Sequence, residues 1–223
     1  MIDAQPATTT RRAAGLALAA AAAVFLLAEF VAAAAWTGEH PYSYTYHYIS
    51  DLGVRGPLVA LDQYMYSPLD WVFNSGFFLF GVLVIAGIAL LRGLHGWRRA
   101  AVLLLGVIVG VGSMVLAFFP GDGEADRLGR FDFHGLGAMM AIVGGNILII
   151  VLGRMCGRLG ADRRTGRAMV VLGAFGLVSL VAFVTVAGSG ANVLIGLVER
   201  CAVYPVFAGL IGAGVAIWRR PVG

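Results

Sequence analysis

The chain has 223 residues, of which 60% are hydrophobic and only 13% charged, roughly half the charge of a soluble domain. A soluble core of this length cannot enclose so much apolar surface, which excludes a water-soluble enzyme, a nucleic-acid-binding protein and a disordered chain. All sixteen basic residues behind the formal charge of +4 are arginine, and in so apolar a chain they mark cytoplasmic loops rather than an acidic partner.

Crossing the ~30 Å hydrocarbon core takes about 20 apolar residues. Six stretches qualify: 13–36, 71–91, 100–119, 134–153, 167–187 and 195–218. The chain therefore reads as all-α, a polytopic membrane bundle of six transmembrane helices forming one domain over 1–223. Pro41, Pro57, Pro68, Pro120 and Pro221 fall between or after these spans, while Pro205 lies inside the sixth and predicts a kink there.

The first stretch follows Arg11 and Arg12 and carries a single acid, Glu29, seven residues before Trp36. Its apolar run is too long for a cleaved signal segment and is expected to remain as the first helix. At about 1.5 Å per residue, Glu29 sits about 10 Å below that helix end, a depth at which a charge needs a partner or a hydrated cavity. The loop 37–70 comes next and is rich in tyrosine: Tyr42, Tyr44, Tyr46 and Tyr48 alternate before Ser50 and Asp51. Tyrosine at this density suits the headgroup zone. His47 and Asp51, four residues apart, would share one face of a helical turn. That spacing suits two metal ligands, a carboxylate orienting an imidazole, or simply an interfacial helix.

Asn74 opens the second span, and Gly106 and Gly110 in the third make a GxxxG packing pair. Phe119, Pro120 and Asp122 close that span, and Asp132 and His134 open the fourth, where Gly137, Ala141 and Gly145 continue the small-residue spacing. Asp122 and His134 thus lie at adjacent helix ends. In the sixth span Glu199 and Arg200 match the depth of Glu29. Neighbours on a helix point about 100° apart, so the depths suggest a Glu29–Arg200 ion pair with Glu199 left toward a cavity. A purely structural Glu29–Arg200–Glu199 cluster is the alternative.

Arginine placement orients the bundle. Twelve arginines flank the N-terminus, the loops after spans two and four, and the C-terminus, whereas only Arg55, Arg127 and Arg130 lie in the other loops. Both termini are therefore expected to be cytoplasmic. Glu39, Asp51, Asp62, Asp70, Asp122, Glu124, Asp126 and Asp132 then all lie on the outer side. In this arrangement His47, Asp51, Asp122, His134 and Glu199 are candidate catalytic residues, with Glu29, Tyr46, Tyr48, Asn74 and Arg200 as candidate substrate contacts. Two imidazoles among carboxylates fit acid–base chemistry or a divalent metal, with His47, Asp51, Asp122 and His134 as its ligands.

The run Tyr48-Ile49-Ser50-Asp51-Leu52-Gly53, followed by Ser67-Pro68, Asn74, Phe119-Pro120 with Asp122, His134-Gly135 and Glu199-Arg200, resembles a family of small bacterial and archaeal integral membrane proteins known as domain of unknown function 998. That family is distantly similar to the Frag1/DRAM/Sfk1 group of six-helix proteins, part of which is associated with lipid handling. The resemblance implies a bacterial plasma membrane location and membrane lipids as partners. Three functions stay open: an enzyme (hydrolase, transferase or cyclase) acting on a lipid or isoprenoid from the outer leaflet, a lipid-binding or structural protein without turnover, and a transporter.

Overall fold

The computed structural model describes residues 4–37, 40–60 and 63–219. Glu39 and Asp62, expected on the outer side, and Arg220 and Pro221, expected after the last span, lie outside the described residues. The six long helices are α1 (Ala4–Ala34), α2 (Asp70–Leu90), α3 (Gly96–Phe118), α5 (Phe133–Arg154), α7 (Arg163–Ser189) and α8 (Ile195–Arg219). Each is long and apolar enough to cross a membrane, so the protein is an all-α, six-helix integral membrane bundle. Two short helices, α4 (Glu124–Leu128) and α6 (Cys156–Leu159), lie in connections, and a hairpin of β1 (Leu58–Ala60) and β2 (Gln63–Met65) lies in the first long loop.

The helices form a closed ring. α1 packs on α2, α2 on α3, α3 on α5, α5 on α7, α7 on α8 and α8 back on α1, while α5 also meets α8 across the ring. Small residues allow this closeness at successive seams. Gly110 backs onto Gly81 and Ile85, Gly112 onto Gly137 and Met140, and Gly214 onto Gly15 and Ala19. Outward lie Phe30, Trp71, Trp97, Phe175 and Val178, each more than half exposed, the surface that a bilayer rather than water accommodates.

Capping chemistry explains where several helices start and stop. α7 begins at Arg163 rather than Arg167 because Asp162 caps it, its Oδ1 accepting from the Thr165 amide at 2.7 Å. Asp132 caps α5 in the same way through Gly135 N–H, at 2.8 Å. At the end of α2 the Arg99 guanidinium donates to the Ile88, Ala89 and Leu91 carbonyls, satisfying acceptors that the helix leaves open. α1 starts at Ala4, earlier than expected, since a proline is tolerated in a first turn.

The ends of the bundle differ. At one end Gly15 meets Trp218, Gly93 approaches Arg158, and Gly153 packs on Gly166; the arginine-bearing connections gather there. At the other end the first long loop folds down onto the ring. Thr45 O accepts from Leu197 N–H at 3.1 Å and Thr37 N–H donates to Tyr66 O at 3.2 Å. Gln63 Nε2 donates to Tyr46 O at 2.9 Å, and Asn74 Nδ2 to Gly53 O at 3.0 Å. This loop closes the end like a stopper, and the site lies beneath it.

Candidate functional site

Arg200 anchors the stopper. Its Nη2 meets Glu29 Oε1 at 2.9 Å in a salt bridge, the partner that matched depth suggested, and donates to Tyr42 Oη at 2.6 Å. Its Nη1 donates to the carbonyls of Tyr44 (2.9 Å), His47 (3.1 Å) and Gly196 (3.0 Å). The Tyr44 ring stacks against the guanidinium, 4.8 Å from centroid to carbon, adding a cation–π contribution. Tyr204 Oη donates to Glu29 at 2.9 Å. Arg200 is 4% and Glu29 1% exposed, so both are consumed in tying α1, α8 and the first loop together, and neither faces a ligand space. The Gly196 position matters here, because a Cβ would collide with the His47 carbonyl oxygen that Arg200 holds.

Glu199, one residue away, turns from this cluster as the helical geometry requires. Its Oε2 accepts from the Ile49 amide at 2.6 Å, and its side chain lines a cavity of about 60 Å³ in the centre of the ring. The space is enough for several waters. Its walls are apolar, with Phe25, Phe77, Phe80, Ile142, Val203 and Phe207 among them, and its polar lining is Glu199, His134, Ser50 and Ser113. Ser113 is occupied, its hydroxyl donating to Phe77 O at 2.8 Å.

The two loop-end histidines have opposite tautomers, read from their partners. His47 Nδ1 accepts from the Ser43 amide at 2.9 Å, so its proton sits on Nε2. The ring stacks on Tyr42 at 5.3 Å and faces Trp36. Burial, helped by the Arg200 charge, lowers its pKa, in keeping with a neutral ring. His134 Nδ1 lies 2.8 Å from Phe119 O. A carbonyl only accepts, so Nδ1 carries the proton and Nε2 presents a lone pair. His134 lines both the central cavity and a larger vestibule bounded by Pro120, Asp122, Arg130 and Phe131. It stands at the junction of the two spaces.

Asp51 is fully buried in the 3₁₀ turn Ser50–Gly53. Its Oδ2 accepts from the Tyr48 amide at 2.9 Å, while Oδ1 has no hydrogen-bond partner among the described residues. Burial, and then the neighbouring Glu199 charge, hold its pKa well above the usual carboxylate range. Successive amides, Tyr48 and Ile49, thus serve two carboxyls from different elements, Asp51 of the loop and Glu199 of α8.

The five residues expected to be catalytic do not converge on one pocket. Glu199 and His134 line the central cavity. His47 is turned into the aromatic packing, Asp51 is sealed under the turn, and Asp122 lies in the vestibule with its Oδ1 on the Glu124 amide at 2.9 Å. His47 and Asp51 do not share a helical face, because the chain between them turns rather than coils. Nor do His47, Asp51, Asp122 and His134 form a metal set: among the described residues no three His, Cys, Asp or Glu side chains group closely enough to hold an ion. Of the expected contacts, Tyr46 is exposed, Asn74 braces the Gly53 carbonyl, and Tyr48 donates to Asn192 at 3.4 Å beside Phe183. Ser50 lines the cavity although it was not among the candidate site residues; its sequence signal is its place in the run Tyr48–Gly53 that carries the family resemblance.

Residues 19–216 match the family model described as protein of unknown function (DUF998). No curated protein and no solved structure matches the chain.

Proposed function

The chain belongs to that family, and we propose that it admits the polar end of a membrane lipid or isoprenoid through the vestibule, seats the first few methylenes of its chain in the central cavity, and acts on that polar end by acid–base chemistry. The observation that carries this reading is one cavity walled by phenylalanines and aliphatic side chains from five helices, with an imidazole lone pair and a carboxyl at its loop end. That polarity matches an amphiphile, whose tail is stabilised by burial and whose head needs hydrogen-bonding groups. His134 Nε2 is the base, and Glu199 lies beside it at the same end of the cavity. That base requires no metal set.

The arginine-rich end is cytoplasmic on this reading, which places the stopper and vestibule on the outer side of a bacterial plasma membrane. The ligand then comes from the outer leaflet. The test is mass spectrometry of lipid retained by the purified protein. Ala141→Trp, which fills the cavity, is expected to strip the retained lipid while leaving the fold intact by helix content. Unchanged retention in that variant overturns the reading.

A second reading, lipid holding without turnover, has its own support. Glu29 and Arg200 are consumed in tying the loop to the ring, and Asp51 and His47 are engaged within the loop itself. Retained lipid that stays chemically unaltered in the wild type favours it.

A further inference from the structure

Ser50 stands out once the cavity is resolved into its polar atoms. Its hydroxyl makes no hydrogen bond among the described residues, and the side chain faces the cavity beside Glu199 and His134. The glycine across from it gives the geometry. A Cβ built on Gly121 would stand 2.9 Å from His134 Nε2 and 3.2 Å from Ser50 Oγ. Those two atoms therefore border one small space, kept open because Gly121 has no side chain, and Gly121 is not in the left-handed region that would call for glycine on backbone grounds. Behind His134, the Phe119 carbonyl holds Nδ1–H at 2.8 Å and so fixes the lone pair of Nε2 toward that space. Hydroxyl, imidazole and orienting acceptor are the three parts of an activated serine, here with Oγ and Nε2 not hydrogen-bonded to each other, a contact that tightens when substrate enters. Glu199, holding the Ile49 amide at 2.6 Å, fixes the Tyr48–Ile49 peptide, one residue before the serine.

We propose that Ser50 is a nucleophile, with His134 as its base, and that the ligand is a long-chain carboxylic ester whose carbonyl enters the space over Gly121. The proposal rests on the lipid-binding reading above and names its substrate class. Ser50 Oγ attacks the acyl carbon as its proton passes to His134 Nε2. The bond to the alcohol oxygen breaks, and that oxygen leaves with the proton from Nε2. Water then attacks the acyl-serine, giving one proton to Nε2, and Oγ departs and recovers that proton. The net change is ester plus water to acid plus alcohol.

The test is covalent capture of the full-length protein in detergent by a long-alkyl fluorophosphonate, in which Oγ bonds phosphorus and fluoride leaves. Intact-mass and peptide analysis are expected to find one adduct, on Ser50, absent from Ser50→Ala. His134→Gln should slow labelling roughly hundredfold, as for loss of a general base. Gly121→Ala, which keeps both reacting groups and only fills the space between them, should slow it comparably. A fluorescent fatty-acyl ether, which cannot be cleaved, reports binding in the same samples. Ether bound without labelling of Ser50, labelling at another residue, or labelling indifferent to His134→Gln overturns the proposal and leaves the lipid-binding reading standing. Failure to bind the ether overturns both.

Discussion

Arg200 shows how one side chain can decide a local structure. It serves three backbone carbonyls, two tyrosine hydroxyls and a carboxylate, so removing it leaves the Glu29 charge buried without its counter-ion as well as freeing the loop. Removing one partner of a buried pair costs about 3–5 kcal/mol, while removing both is far milder. In thermal unfolding in detergent, Arg200→Met should therefore lower stability more than Glu29→Gln, and the double variant should cost less than the two together. Simple additivity would show that the two side chains act independently. Asp51 makes a prediction in pH. Its pKa is raised in the folded protein, so between its unfolded and folded values the native state binds more protons and stability falls as pH rises. The loss should begin in the ordinary carboxylate range, where the unfolded chain deprotonates, and continue through the folded value, with a slope of at most about 1.4 kcal/mol per pH unit. Asp51→Asn should flatten this dependence across the same window; a dependence unchanged by the substitution would show that Asp51 is not the titrating group. The ion pair was legible because depth follows from counting along a helix. The fate of His47 was not, because a stack on Tyr42 and a bond to Ser43 depend on how a loop folds.

Among the elements, the seams of the ring rest on small residues and are correspondingly sensitive. A Cβ on Gly112 would meet Met140 Cβ at 2.6 Å and the Gly137 carbonyl at 2.8 Å. Gly112→Leu should thus force α3 from α5 and cost at least the 1–3 kcal/mol of ordinary overpacking, roughly, read as a lower melting temperature. Gly157→Leu, on a glycine whose Cβ would meet nothing, is the control expected to melt as wild type. The Pro205 region has a related arrangement. Proline withholds the amide that Cys201 O would receive in α8, and Asn146 Nδ2 crosses from α5 to Ala202 O at 2.9 Å, supplying a donor one residue along. All six spans were readable because a continuous apolar run has few alternatives in a bilayer. The hairpin, the capped start of α7 and the short helices α4 and α6 were not, since their short polar segments carry little periodicity. Nor could spacing reveal the Gly121 space, which needs the third and fifth helices and the stopper brought together.

At the scale of the whole molecule, the ring gives the protein two unlike ends, and only charge says which faces the cytoplasm. The stopper end carries Arg55, Arg127 and Arg130; the other gathers eleven described arginines, from Arg11 and Arg12 to Arg219. Moving a cluster of arginines across the bilayer during insertion is costly, whereas acidic loops pass with little bias, so the arginine-rich end is expected inside. In a chain with Cys156 and Cys201 replaced by serine, Glu124→Cys on α4 should react with a membrane-impermeant maleimide added to intact cells. Gly157→Cys on α6, exposed and unobstructed, should react only after the membrane is opened. The reverse pattern would turn the bundle over. The cavity would keep its shape and its Ser50, His134 and Glu199, but its vestibule would then open to the cytoplasm, and a ligand drawn from the outer leaflet would have no route to it.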